Sequence, residues 1–123
     1  MLIIKSAIVS LTAMLTLQPI LMPGYATAYC DYGTTKSGEI TRNGTCAMHD
    51  AEMIGKTVVL YQRLPNGDTG KMIGIYEVKD TGCKPNVIDV WCEDLEKCQE
   101  FMNLVYEDGC NGRIKYQVIK GKG

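Results

Sequence analysis

Two aspartates nine residues apart are the clearest candidates for acid–base chemistry, in the segment YEVKDTGCKPNVIDVW at 76–91. Asp80 closes a strand-like stretch, and Asp89 lies between the apolar residues Ile88 and Val90. Alternation along a strand places Asp89 on the face opposite to these two neighbours. Burial and a second carboxylate both raise the pKa of a carboxyl, which can then donate a proton near neutral pH. The alternative is that both aspartates are solvated, since most strand carboxylates are.

The sequence around this pair predicts mostly strands. Runs rich in β-branched and aromatic residues, bounded by turn signals, predict strands over 56–62, 71–80, 86–91 and 115–120. The Pro-Asn-Gly-Asp turn at 65–68 predicts a hairpin between the first two. Within the second strand we expect three core residues, Ile73, Ile75 and Val78. The stretch 32–45, rich in Gly, Ser, Thr and Asn, predicts a loop.

A single helix is predicted over 94–105, where the apolar period changes. Apolar side chains recur at helical spacing, namely at Leu95, Cys98, Phe101, Met102 and Val105. Asp94 is the expected N-cap, and Gly109 is the stop signal beyond the helix. Short strands around one helix favour a small β-barrel.

The first 26 residues have the layout of a secretory signal peptide. Lys5 is their only charge, a mostly apolar run follows, and Gly24 and Ala26 supply the small residues of a cleavage site. Polar residues and Pro19 interrupt the run, which makes it a poor membrane span, although an uncleaved anchor is the alternative. We therefore predict a leader at 1–26 and one mature domain at 27–123, secreted or extracytoplasmic.

The charge balance excludes several partner classes. Without the leader, 12 basic side chains face 14 acidic ones, a net charge of −2. This argues against nucleic acid, which requires clustered Lys and Arg. No nucleotide-binding loop is present, and no cofactor is implied. Four basic residues within 113–122 form either a solvated edge strand or a surface attractive to an anionic wall polymer.

Six cysteines follow the leader, and an even number in a secreted chain predicts disulfides. They are Cys30, Cys46, Cys83, Cys92, Cys98 and Cys110. Six cysteines allow 15 pairings, and the sequence does not choose among them. A zinc site is the rival interpretation, but no convincing four-ligand set is spaced for it.

Other side chains in the chain have weaker chemical signals. His49 is the only histidine, and without a triad partner it is a surface or loop residue. Asp80-Thr81-Gly82 also spells the aspartic-protease triplet, but that chemistry needs two such aspartates and this chain has one triplet. Several aromatic residues could stack on sugar rings or simply pack the core, namely Tyr29, Tyr32, Tyr61, Tyr76 and Trp91. Trp91 shares the strand face of Asp89 and is the best stacking candidate.

An ordered set of short motifs resembles the 3D-domain family, named for its three aspartates, and the catalytic barrel of membrane-bound lytic transglycosylase A. The matching pieces are ATAYC at 26–30, TRNGTCA at 41–47, IGKTV at 54–58, VKDTG at 78–82 and IDVW at 88–91. They occur in family order across almost the whole mature chain, and the last two are the strongest.

The resemblance implies a six-stranded double-psi β-barrel whose first strand is 26–30. It also implies cleavage of peptidoglycan glycan strands without water, giving 1,6-anhydro products. In this class a carboxyl protonates the bridging oxygen, and the muramyl C6 hydroxyl then attacks its own anomeric carbon. By resemblance Asp89 is this general acid and base, while Asp80 tunes its pKa and holds the sugar together with Thr81 and Gly82.

The chain departs from the family pattern at three places. Where the family has a further aspartate after the Gly-rich loop, His49 aligns, with Asp50 one residue later, so both are candidate substrate-binding residues. Cys83 replaces the glycine that usually follows the DTG triplet. The turn between Asp80 and Asp89 is also shorter than in the transglycosylase A barrel.

Three hypotheses follow. The first is a bacterial lytic transglycosylase that acts on the cell wall as a monomer. The second is a non-catalytic wall- or carbohydrate-binding barrel, as in expansin-like proteins. The third is a purely structural secreted domain. A catalyst needs Asp80 and Asp89 in one groove with one of them shielded from water, whereas a binder needs an aromatic strip and no buried acid.

Overall fold

A computed structural model describes residues 20–30 and 44–119. In these ranges the chain forms six strands and one α-helix, together with two short 3-10 turns. The elements in chain order are β1 Met22–Tyr29, β2 Thr45–Ala47, β3 Thr57–Arg63, β4 Thr69–Asp80, β5 Val87–Trp91, α1 Leu95–Tyr106 and β6 Arg113–Ile119. The strands, hairpin and helix predicted from local patterns are all confirmed, with boundaries shifted by at most two residues, whereas β1 begins four residues before the strand at 26–30 that the resemblance implied. β2 was not predicted.

The six strands belong to one sheet in the order β1-β5-β2-β4-β3-β6, and the pairing of β1 with β6 closes it. Two neighbouring pairs, β1 with β5 and β2 with β4, are parallel, and the other pairs are antiparallel. The closed sheet is irregular because β2 has only three residues and the register shifts in two of the pairs. The fold class is therefore mainly β with one helix, as predicted.

The inner face of the sheet is filled by alternating apolar side chains. Val58, Leu60, Val78, Ile88 and Ile114 are all fully buried. This alternation is the period of two expected of a strand.

The prediction of a core position for Ile75 is wrong, while that for Val78 is confirmed. Val78 lies on the inner face of β4. Ile75 is three residues away, on the outer face, and 56% exposed. Ile73 is partly buried and packs against the core.

Helix α1 packs on the barrel through its apolar face, on which Phe101 and Val105 are buried. The Asp94 carboxylate accepts a 2.8 Å hydrogen bond from the backbone N–H of Lys97, which confirms the predicted N-cap. The ring of Phe101 meets that of Tyr76 edge to face, with centroids 6.2 Å apart.

The predicted leader overlaps the first strand. Residues 1–19 lie outside the described residues, but β1 begins at Met22, four residues before the predicted boundary at Ala26. Gly24 is buried in this strand, and the next residue, Tyr25, donates from its backbone N–H to the Asn86 carbonyl over 2.8 Å. Among the described helices, none is long and apolar enough to cross a membrane. Most of the predicted loop at 32–45 lies outside the described residues.

Candidate functional site

Asp80 and Asp89 lie on either side of one residue of β2. Ala47 is in register with Asp80 of β4 and with Asp89 of β5. Asp89 is in turn in register with Thr27 of β1. Because neighbouring strands are about 4.8 Å apart, the two aspartate Cα atoms are separated by about 10 Å. Four strands therefore bring both predicted aspartates into one row across the sheet.

A β-bulge in β4 creates this arrangement. Cys46 pairs with Val78 and Ala47 pairs with Asp80, so Lys79 is an extra residue on β4. In a regular ladder Lys79, and not Asp80, would be the partner of Ala47. Bulges commonly redirect a side chain next to an active site. The Lys79 ammonium instead forms an ion pair of 2.9 Å with Glu77.

Asp89 is partly buried, between the fully buried neighbours Ile88 and Val90. Burial raises the pKa of its carboxyl above the ordinary value of 3.8, and a hydrogen bond from Thr27 lowers it in part. In that bond the Thr27 hydroxyl donates to Oδ1 of Asp89 over 2.8 Å. Thr27 was not among the predicted site residues, although it lies in the ATAYC motif.

Asp80 is held at the start of the turn that follows β4. Its Oδ1 accepts a hydrogen bond of 2.9 Å from the backbone N–H of Thr81. Gly82 then has φ of +114°, a conformation that only glycine adopts without strain. The DTG triplet therefore acts as a rigid local turn that fixes the direction of Asp80. Burial alone raises the pKa of Asp89, so the predicted tuning by Asp80 is not part of its cause.

Cys83 is the second residue of this site that was not predicted for it, since only a disulfide was expected there. Its thiol contacts the Val87 carbonyl at 3.3 Å. Burial raises the pKa of the Cys83 thiol, and the charges of Asp89 and, less strongly, Asp80 raise it further. The thiol therefore lies within electrostatic range of both carboxylates.

His49 and Asp50 lie beside the same turn but remain exposed. Nδ1 of His49 is hydrogen-bonded to the Cys83 carbonyl at 3.0 Å. The Asp50 carboxylate is 4.0 Å from Nε2 of His49. Both residues line a cavity of about 250 Å³ at this end of the barrel, together with Met48, Val87 and Tyr116. The structure thus places both of these candidate substrate-binding residues next to the turn that follows Asp80.

The predicted stacking residues are less accessible. Trp91 is only 5% exposed, so its ring is part of the packed structure and is not presented on the surface. Tyr29 is partly buried and is in register with Trp91 at the far end of β1 and β5. The exposed aromatic side chain nearest to Thr27 on the same face of β1 is Tyr25.

All six cysteines are free thiols in this structure, so the predicted disulfides are not formed in it. Three thiols nevertheless group where β1 and β5 end and α1 begins. Burial raises the pKa of Cys92 to about 12, with smaller contributions from Cys98 and Cys30. The Cys92 backbone N–H donates to the Tyr29 carbonyl over 2.8 Å, which sets Cys92 level with Cys30.

Within the two described ranges, no group of three or more His, Cys, Asp or Glu side chains is placed to hold a metal ion. The site consists of carboxyl, hydroxyl and thiol groups, which suit proton transfer and hydrogen bonding. Comparison with protein-family models and with curated proteins finds no match to this chain.

Proposed function

We propose that this protein cleaves the glycan strands of peptidoglycan as a lytic transglycosylase, with Asp89 as the general acid and then the general base. The observation that carries the proposal is the row Asp80–Ala47–Asp89–Thr27, in which a partly buried carboxyl with a raised pKa shares one stretch of sheet with a second carboxyl. A protonated acid close to neutral pH is what cleavage of a glycosidic bond requires.

In the proposed reaction the Asp89 carboxyl donates its proton to the bridging oxygen as the bond between that oxygen and the muramyl anomeric carbon breaks. The muramyl C6 hydroxyl then forms the new bond to that carbon, and its proton passes to the Asp89 carboxylate. The products are a shortened strand with a free hydroxyl and a 1,6-anhydro end, and no water is consumed. The Thr27 hydroxyl orients Asp89, and Asp80 binds the sugar.

The separation of the two aspartates supports separate roles. Their Cα atoms are about 10 Å apart by strand spacing, and both lie on strands flanking Ala47. A shared proton would need the carboxyls in direct contact, whereas the two aspartates lie two strand spacings apart. Aspartic-protease chemistry is accordingly not favoured.

A non-catalytic wall-binding barrel is less well supported. Such a module would present a strip of aromatic rings and would not need a shielded acid. Trp91 is buried, whereas Asp89 is partly buried and its pKa is raised by that burial. Both observations favour the catalyst over the binder.

The proposal also covers the fold of the enzyme and its secretion. We propose a double-psi β-barrel that is secreted after removal of a signal peptide. The parallel pairing of β1 with β5 and of β2 with β4 is compatible with such crossed connections. The position of β1 favours leader cleavage before Met22, which leaves the strand intact.

The proposal is tested by incubating purified cell walls with the protein and with three variants. We expect the wild type to release soluble muropeptides, Asp89→Asn to release none and Asp80→Asn to release much less. Asp108→Asn, at an exposed position after α1, is the matched control and should act like the wild type. Release by Asp89→Asn at the rate of the wild type contradicts the proposal.

A further inference from the structure

Two arginines face each other on the outer surface of the sheet. Gln62 of β3 is in register with Ile114 of β6, which sets Arg63 level with Arg113 one position further along. Arg113 is in register with Tyr25 of β1. Since Gln62 and Ile114 are buried, the Arg63 and Arg113 side chains lie on the opposite, outer face.

No acidic side chain in the described part of the chain neutralises this pair. The Arg63 guanidinium stacks over the Tyr25 ring at 5.8 Å, and its buried Nε has no hydrogen-bond partner among the described residues. Arg113 donates from Nε to the Cys110 carbonyl at 3.2 Å. Like charges directly opposite on neighbouring strands repel, and a buried donor without a partner is costly. A site that keeps both features gains stability when an anion binds.

An open cavity is present at this place. It has a volume of about 350 Å³ and is lined by Tyr25, Arg63, Leu64, Pro65, Gly67 and Arg113. Leu64, Pro65 and Gly67 belong to the β3–β4 hairpin turn, which the Leu64 N–H to Asp68 C=O bond of 2.9 Å closes. The cavity therefore combines two planar cations, one aromatic ring and one rigid turn.

We infer that Arg63, Arg113 and Tyr25 form a binding site for an oxyanion, either a carboxylate or a phosphate. The guanidinium fork matches the geometry of both groups and donates two parallel hydrogen bonds to either. The anion would satisfy Nε of Arg63 and remove the repulsion between the two arginines.

The site belongs to the same outer face as the aspartate row. Tyr25 and Thr27 are two residues apart on β1 and point to the same side, and Thr27 contacts Asp89. An extended polymer lying across β1 can therefore reach both places. This assignment of the anion rests on the proposed function: it is a charged group carried by the wall polymer. Its binding would set the position of the glycan strand relative to Asp89.

Inorganic phosphate and lactate are the two probes, added to the protein at constant ionic strength. The readout is the NMR signal of the Arg63 Nε–H group, which reports on the buried donor directly. We expect at least one probe to shift this signal in a saturable way, and the probe that binds at lower concentration identifies the anion class. If neither probe shifts it, the inference is overturned.

Substitutions distinguish a specific anion-binding site from general attraction by positive charge. Binding to the variants is followed through the backbone N–H signal of Gly67, which lines the same cavity and is kept in all of them. Arg63→Gln and Arg113→Gln should each weaken binding by about tenfold, as expected for loss of a charge-assisted hydrogen bond. Arg63→Lys keeps the charge but lacks Nε and should also bind weakly. Lys115→Gln, on the same strand face as Arg113, is the matched control and should bind as the wild type does. Equal loss in Lys115→Gln overturns the inference.

This experiment is independent of catalysis. Asp89→Asn should bind the probes normally, because its carboxyl is not part of the site. Anion binding without release of muropeptides would refute the proposed activity while leaving the site in place. Release of muropeptides without anion binding would refute the anion site while leaving the proposed activity in place.

Discussion

The hydroxyl of Thr27 donates a 2.8 Å hydrogen bond to Oδ1 of Asp89, and this contact joins the centres of the parallel strands β1 and β5. The bond favours the ionised carboxylate and so opposes the effect of burial, which favours the protonated acid. Asp89 is therefore held by two opposing influences, which suits a group that must both release and recover a proton.

Thr27→Val keeps the shape of the side chain but removes this hydrogen bond. We expect the pKa of Asp89 to rise further, because burial still raises it while the hydrogen bond that lowers it is lost. An NMR titration of the Asp89 carboxyl carbon measures the change. Thr69→Val, at the exposed start of β4, is the control and should leave the pKa unchanged. A lower pKa of Asp89 in Thr27→Val would contradict the assignment.

The raised pKa of Asp89 also predicts how stability depends on pH. The folded protein binds this proton more tightly than the unfolded chain does, so the free energy of unfolding falls as pH rises from the ordinary value of 3.8 through the folded-state pKa. Asp89→Asn removes this loss. We expect the stability of the variant relative to the wild type to increase as pH rises from 3.8 through the folded-state pKa of Asp89, measured by urea unfolding.

Asp108→Asn provides the comparison for that measurement, since its carboxylate is exposed. It should show no such gain over the same pH range. If Asp89→Asn instead loses stability relative to the wild type as pH rises, then the carboxylate is stabilising and the account of its burial is wrong.

Gly82 and Gly67 allow a matched test of the DTG turn. Their φ values are +114° and +91°, and neither would bring an added Cβ into contact with a neighbour. Replacement of either by alanine should therefore cost a similar amount, about 1 kcal/mol of unfolding free energy. Only Gly82→Ala should lower the release of muropeptides, because only that turn holds Asp80. Equal activity of the two variants would show that the reaction does not depend on the turn at Gly82.

The first strand predicts where a functional chain can begin. A chain starting at Ile20 retains all of β1, whereas one starting at Thr27 lacks Met22–Ala26 and their pairing with β6. We expect the shorter chain to show a lower unfolding midpoint in urea or to fail to fold. Gly24→Ala tests the same strand in the longer chain. An added Cβ would lie 2.8 Å from the Asn86 carbonyl oxygen, so stability should fall. Equal stability of the two chains would contradict this role of β1.

Local patterns predicted most of the elements because their signals are local. The Pro-Asn-Gly-Asp turn, the Asp94 cap and the helix α1 each depend on a few neighbouring residues, and all are found, although Leu95 of the predicted apolar face is exposed. β2 was missed because three residues are too few to show a period. Ile75 was misplaced because its apolar character does not reveal which face of β4 it occupies.

The site was predictable in part for the same reason. Asp80 and Asp89 stand out by their spacing and neighbours in the sequence. Thr27 does not, because its contact with Asp89 spans 62 residues and depends on the parallel pairing of β1 with β5. The opposition of Arg63 and Arg113 likewise arises only from the β3–β6 register. Pairing between distant strands is the information that a single sequence holds least clearly.

The most direct test of the central claim follows the oxygen atom at the cleaved bond. Peptidoglycan is digested in water enriched in heavy oxygen, and the released muropeptides are weighed by mass spectrometry. The account predicts 1,6-anhydro ends that carry no heavy oxygen, formed by the wild type and absent with Asp89→Asn. Incorporation of heavy oxygen at the new ends would identify a hydrolase, and unchanged release by Asp89→Asn would remove Asp89 from the reaction.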